Sequence, residues 1–213
     1  MRIYNLKRLS LCLALCATLL PLNACSDLLA TPEPLQILTL NHYDSDAPLC
    51  KQQSAAQLVI NMPEAYAGTN SDRIPLLIDN REIQYLAGYK WDKPAQLMVH
   101  QALVQAFNTS GCIKGAASGG AGLVTPYRLS TDIMRMHHIQ NGDQKSVKVE
   151  LVFTLVNIEK GTIIGQLTTQ ANGNGNFTKP VELAANIEKA LNIAINDGVV
   201  WVAGVLKESE KAN

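Results

Sequence analysis

The sequence predicts a single α/β domain, a sandwich of a largely antiparallel or mixed sheet with two main helices packed on it. Three observations predict it. Turn signals at Asp79-Asn80-Arg81, Asn141-Gly142-Asp143 and Glu159-Lys160-Gly161 separate short apolar runs. Val147, Val149, Leu151, Phe153 and Leu155 alternate with Lys148, Glu150, Val152 and Thr154, the period of a strand with one buried face. Apolar residues recur at helical spacing over residues 95–107 and again over 180–206.

In chain order, residues 35–40 alternate and predict a first strand, and the polar, Pro48-containing stretch 41–54 predicts a loop. Leu58-Val59-Ile60, closed by Asn61-Met62-Pro63, predicts a second strand. Residues 74–78 and 82–89 predict a hairpin around Asp79-Asn80-Arg81. Asp92 offers an N-cap, with Pro94 in the first helical turn, where its missing N–H costs nothing. Ala95, Met98, Val99, Ala102, Leu103 and Ala106 share one face of that helix, and Leu97 and Val104 lie on the other. Those two are either stray surface residues or a contact with another layer or subunit. Residues 115–122, rich in Gly and Ala, predict a flexible connection. Residues 127–139, 146–158 and 162–169 predict an antiparallel meander. The long helix follows, with Leu183, Ile187, Ala190, Leu191, Ala194, Trp201, Val202 and Val205 on one stripe and Gly198 in its middle. Residues 207–213 predict a frayed polar tail.

The amino terminus predicts a destination. Arg2, Lys7 and Arg8 precede a 14-residue apolar stretch, residues 9–22. That is the length of a secretory core and short of the roughly 20 residues of a membrane span. Leu22-Asn23-Ala24-Cys25 resembles the bacterial lipobox, whose cysteine is acylated and becomes the new first residue. An ordinary signal peptide or a retained anchor is the alternative. The resemblance implies that residues 1–24 are a lipoprotein signal peptide, with residues 25–34 a lipidated tether and residues 35–206 the domain proper. Ser26, where some lipoproteins carry an inner-membrane-retaining aspartate, points to the outer membrane.

Removing residues 1–24 leaves 15 Lys plus Arg against 18 Asp plus Glu. That balance, without a basic run, argues against a nucleic-acid partner. Cys50 and Cys112 are the cysteines that remain besides Cys25. In an oxidising compartment they either form a disulfide or stand as two unrelated thiols.

Fragments that imitate active sites fail on composition. Gly115 and Gly120 have the spacing of a phosphate loop, but Ala121-Gly122 stand where Lys and Ser or Thr are needed. Ser118 lacks the first glycine of a nucleophile elbow. Gly173-x-Gly175 is followed by Thr178 in the third glycine place, and no strand follows to complete a βαβ unit. His42 and His100 stand apart. His137 and His138, adjacent on a strand, point to opposite faces and predict an exposed pair rather than a metal site. No cofactor, metal or catalytic constellation is expected.

What remains informative is Arg81-Glu82-Ile83-Gln84-Tyr85-Leu86, then Tyr89-Lys90-Trp91-Asp92-Lys93-Pro94, the helix to Phe107, and the strand opening at Tyr127-Arg128-Leu129. This succession resembles the ABC-type transport auxiliary lipoprotein family over residues 35–204, with Trp91 and Pro94 its firmest motif. The resemblance implies a non-catalytic, outer-membrane lipoprotein that docks or positions a lipid-transport machine of MCE-type and permease components, with a homo-oligomeric ring as one form of that docking. An activator of a cell-wall synthase is the alternative from another class. Read without the family, Trp91 is a large ring that anchors a strand to the helix after it.

Overall fold

The computed structural model describes residues 34–41, 43, 48–66 and 68–211. The expected signal peptide, Cys25 and the expected tether up to residue 33 lie outside the described residues, as do Ala212 and Asn213. The strands are β1 (Gln36–Leu38), β2 (Ser54–Ile60), β3 (Glu64–Ala65), β4 (Arg73–Ile78), β5 (Glu82–Trp91), β6 (Ile113–Ser118), β7 (Tyr127–Asn141), β8 (Gln144–Asn157) and β9 (Thr162–Asn174). The helices are α1 (Ala95–Thr109) and α2 (Pro180–Lys211). Together they form an α/β domain with a mixed, largely antiparallel open sheet, and the two helices pack on it and on each other.

β7 organises the sheet. One of its edges carries β8, antiparallel along its whole length, and β8 carries β9 in the same way. Its other edge is shared by three parallel neighbours in turn: β2 (Val59 beside Arg128), β3 (Glu64 beside Asp132) and β4 (Leu76 beside His138). Pro63, which has no N–H to donate, falls between β2 and β3. β6 extends the sheet beyond β2, while β5 and then β1 extend it beyond β4. The β4–β5 turn has Asp79 at φ 48° and Asn80 at φ 56°, and Arg81 N–H donates to the Ile78 carbonyl at 3.0 Å. Two left-handed residues make this a type I′ turn, whose twist matches the strands it joins.

The core lies between β8 and α2. Val147, Val149, Leu151, Phe153 and Leu155 are all fully buried. Facing them are Leu183, Ile187, Leu191, Ile195, Val199, Val202 and Leu206 of α2. A window of α2 with mean hydropathy 1.3 is long and apolar enough to cross a membrane, and half of that window is buried inside the domain. Glu182 closes the start of the helix. Its carboxylate accepts the Thr178 N–H at 2.7 Å and the Lys179 N–H at 3.4 Å, as in a capping box. The Thr178 N–H above all holds its pKa below the usual carboxylate range.

Three local expectations need correction. Of residues 115–122, expected as a flexible connection, 115–118 belong to β6, parallel to β2 with Ala116 beside Leu58. Small residues give little strand propensity, and the edge is completed from outside: Asn108 of α1 donates to the Ala116 carbonyl and accepts its N–H, both at 2.9 Å. α2 runs to Lys211 instead of ending at Leu206. Lys207 lies in that added length, its ammonium donating to the Gln52 carbonyl. α1 begins at Ala95, after Pro94 and without a side-chain cap, so Asp92 is not its N-cap.

A Cβ on Gly198 would stand 2.4 Å from Cε2 of Phe153, whereas one on Gly204 meets nothing within 4 Å. Gly198→Ala should therefore cost about 1–3 kcal/mol, overpacking outweighing the helix-propensity gain. Gly204→Ala in the same helix should gain up to about 1 kcal/mol. Urea unfolding of the two variants checks the contrast, and equal effects would mean the helix does not rest on Phe153.

Candidate functional site

The Trp91–Pro94 junction is where the sheet hands the chain to α1. Trp91 is buried, 1% exposed. Its N–H donates to the Asp72 carbonyl at 2.7 Å, and the next N–H, of Asp92, donates to the Leu38 carbonyl at 2.8 Å. These bonds tie the backbone of residues 91 and 92 to the segments beside it, and the helix starts only after Pro94. Pro94, at φ −54° and ψ 147°, accepts the N–H groups of Leu97 and Met98 and so opens the helix. The Asp92 carboxylate instead lies 3.5 Å from Lys93 Nζ.

Beside the junction is a cleft of about 280 Å³, lined by Thr39–Asn41 and Tyr43 on one side and by α1 and α2 on the others. Its polar groups are engaged in tying that segment down. The Glu188 carboxylate accepts the Asn41 N–H at 2.7 Å. Gln105 donates to the Tyr43 carbonyl at 2.6 Å, and the Tyr43 hydroxyl donates to Asn196. The arrangement fastens backbone to two helices; it does not set a nucleophile against a base.

Cys50 and Cys112 form a disulfide, with Cα atoms 5.0 Å apart and a separation of 62 in sequence. Leu49 N–H donates to the Ser110 carbonyl and Ser54 N–H to the Cys112 carbonyl, both at 2.9 Å, so backbone bonds flank the bridge. By chain entropy a loop of this length is worth about 4 kcal/mol. The bridge clamps the end of α1 to the segment that leads into β2.

The histidine pair is not exposed. His137 is 3% exposed and His138 2%. For His138 the reason is a bulge between Ile133 and Arg135, which shifts the alternation of β7 by one residue. Beyond it Met136 and His138 pair with the core residues Val149 and Val147, and His137 pairs with Lys148 on the opposite face. His138 Nε2 is hydrogen-bonded to the Gly175 carbonyl, and its ring meets Phe177 edge-on at 5.1 Å. The Nε2 atom of His137 is buried with no hydrogen-bond partner. Burial first, then the charges of Arg135 and Lys148, lower its pKa from 6.5 to about 4, Glu150 partly opposing them. Burial lowers that of His138 as well. Among the described residues, no group of three or more His, Cys, Asp or Glu side chains is placed to hold a metal ion.

The outer side of α1 divides. Leu97 is 39% exposed, while Val104 is half-buried and packs on the core. The two therefore do not form one exposed pair, because the second packs against the hydrophobic core.

Solved structures share this fold. Protein XCC0632 from Xanthomonas campestris, assigned to the family-model DUF330, has a TM-score of 0.70 at 22% identity, covering 83% of this chain and 99% of its own. An uncharacterized protein has a TM-score of 0.56 at 10% identity, covering 79% and 97%. The hypothetical protein CT253 from Chlamydia trachomatis has 0.50 at 8% identity, covering 72% and 98%. At such identities the likeness is one of fold. No protein-family model matches the chain, and no curated protein does.

His137 binds a proton at 6.5 when unfolded and at about 4 when folded. The unfolded chain thus takes up the proton first, and stability falls as pH drops from 6.5 toward 4, by on the order of 3 kcal/mol, then levels off for this group. Urea midpoints at pH 7.5 and 4.5 should show the loss, and His137→Leu should shrink it. An unchanged pH slope in that variant would refute the assignment. On α1, Leu97→Glu should leave the stability within about 0.5 kcal/mol of wild type. Val104→Glu should cost about 1–3 kcal/mol by bringing a charge against the core, which thermal unfolding of both variants distinguishes.

Proposed function

We propose that the protein is a non-catalytic, lipid-anchored auxiliary component of an ABC/MCE-type lipid transport system, docking or positioning the envelope-spanning machinery at the periplasmic face of the outer membrane. The observation that carries this reading is the order of elements around Trp91. The β4–β5 hairpin ends in the buried Trp91, Pro94 opens α1, and the β7–β8–β9 meander and α2 follow. This is the order that the resemblance to the ABC-type transport auxiliary lipoproteins implies. Leu22-Asn23-Ala24-Cys25 behind its apolar run supports the anchor. The fold shared with XCC0632 supports the domain and names no partner.

Physical chemistry constrains how such a protein works. One acyl chain holds a protein only marginally, at about 0.8 kcal/mol per buried methylene, so two or three chains on Cys25 make release negligible. Residues 26–34, fully extended, reach about 30 Å. The domain would then meet its partner within that distance of the inner surface of the outer membrane. The disulfide suits the same compartment, where thiols stay oxidised. The engaged state of the polar groups beside Trp91 fits a protein that acts by contact.

Mass spectrometry of the membrane-extracted protein should find Cys25 as the first residue, heavier by its acyl chains. The full chain, extracted in mild detergent, should bring down MCE-type or permease components. Recovery of a cell-wall synthase in their place would move the protein to the alternative class. Intact acylation with neither partner would reject the transport role and leave the anchor standing.

A further inference from the structure

β9 ends the sheet. It is bonded to β8 on one side, and among the described residues no strand pairs with its other side. Long open edges are normally blunted by lysine, proline, a bulge or shortness, because their free N–H and C=O groups template another strand. The other outer strands follow that rule: β1 has three residues, and β6 has six and carries Lys114. β9 does not. Thr162–Asn174 is 13 residues long and contains no Asp, Glu, Lys, Arg or Pro. Its single register shift lies near the start, and residues 165–174 run on without a break beside β8.

The composition of that edge selects its occupant. Gln166-Leu167-Thr168-Thr169-Gln170 reads nearly the same in both directions about Thr168. An antiparallel copy centred there sets Thr168 against Thr168, Gln166 against Gln170 and Leu167 against Thr169. Outside these come Gly165 against Ala171 and Ile164 against Asn172. Every pair is uncharged. Thr–Thr and amide pairs directly opposite one another are favourable across strands, and no like charges meet. Gln166, Thr168 and Gln170 are exposed on the face away from α2, within reach of a neighbouring strand, and the Gln166 amide, which donates to Thr154 at 3.0 Å, keeps its oxygen for a partner. An isologous contact of this kind needs a self-complementary patch, and this edge is one.

We infer that β9 is a self-association edge, at which a second copy of this chain adds its own β9 antiparallel about a two-fold axis at Thr168. The three-strand meander of each copy then becomes one six-strand antiparallel sheet, β7–β8–β9 of one copy continuing into β9–β8–β7 of the other. The inference does not depend on the transport reading, since it concerns the edge alone. It also locates self-association away from α1.

Cysteine cross-linking of the full chain, extracted in mild detergent, tests both contact and register. Thr168→Cys should give a disulfide dimer on a non-reducing gel, and the wild-type chain should not. Gln166→Cys and Gln170→Cys should each stay uncross-linked alone and form a dimer when mixed. Thr168→Lys puts two ammonium groups at the axis and should shift the particle mass from dimer to monomer. Its melting curve, measured at a concentration where both forms are monomeric, should match wild type because Thr168 is exposed. A monomeric wild type, a Thr168→Cys chain that does not cross-link, or an assembly larger than two that survives Thr168→Lys would each overturn the inference.

Discussion

Two reciprocal contacts between a glycine and an aromatic ring hold α2 on the sheet, and the rest of the domain depends on them. Phe153 of β8 enters the space that a Cβ on Gly198 would fill. About one turn later Trp201 of α2 lies over Gly165 of β9, 3.0 Å from where a Cβ would be. One contact lowers the helix onto β8 and the other extends it over β9. Phe153 stands between Thr131 of β7 and Leu167 of β9 in the ladder, so the helix covers all three strands of the meander at that level. Interiors packed as tightly as organic crystals leave little slack for a helix raised by even one methyl group. The buried residues of β8 need this cover, because an apolar face left to water returns the free energy that folds the chain.

The parts of this fold that were legible in the sequence are those in which local pattern and tertiary environment agree. β8 buries every second residue, and its alternation is visible without any partner. The Asp79-Asn80 turn uses residues that tolerate left-handed backbone, so the hairpin announces itself. The long stripe of α2 is likewise a direct image of its burial. What escaped notice was decided by neighbours. β6 is built from Gly, Ala and Ser, and it is a strand because β2 lies on one side and Asn108 completes it on the other. Asp92 has the composition of an N-cap, yet its backbone belongs to the sheet. That His138 and not His137 meets the core depends on one extra residue in β7, and a bulge leaves no mark on composition.

The candidate site shows the same division. Trp91 and Pro94 stood out as a large ring and a helix-opening residue, and both occupy the junction that those properties demand. The pairing of Cys50 with Cys112 was open between bridge and free thiols, since spacing says nothing of approach. What brings them together is the pair of backbone bonds from Leu49 to Ser110 and from Ser54 to Cys112. After β2 to β5 and α1 the chain returns to its starting level at those bonds. The cleft beside Trp91 was invisible, because its walls come from residues about 150 apart, with Asn41 meeting Glu188 and Tyr43 meeting Asn196.

The face of the sheet turned away from α2 completes the account, because it cannot be treated as plain solvent surface. Arg135 and Lys148 converge on Glu150 there, Lys148 at 3.7 Å, and His137 is buried beside them with its charge suppressed. Two cations around one carboxylate leave a local excess of positive charge, and a neutral histidine is the form such a neighbourhood tolerates. Toward β9 the same face carries no charge, and Thr154, Gln166, Thr168 and Gln170 give it a hydrogen-bonding surface, with Gln166 already donating to Thr154 at 3.0 Å. Charge is concentrated at β7 and β8 and absent from β9. A sheet that keeps its charges inboard and its neutral amides outboard is soluble across its face yet unguarded along its edge. The face and the edge of one meander therefore obey different rules, and it is the edge that faces outward unsatisfied.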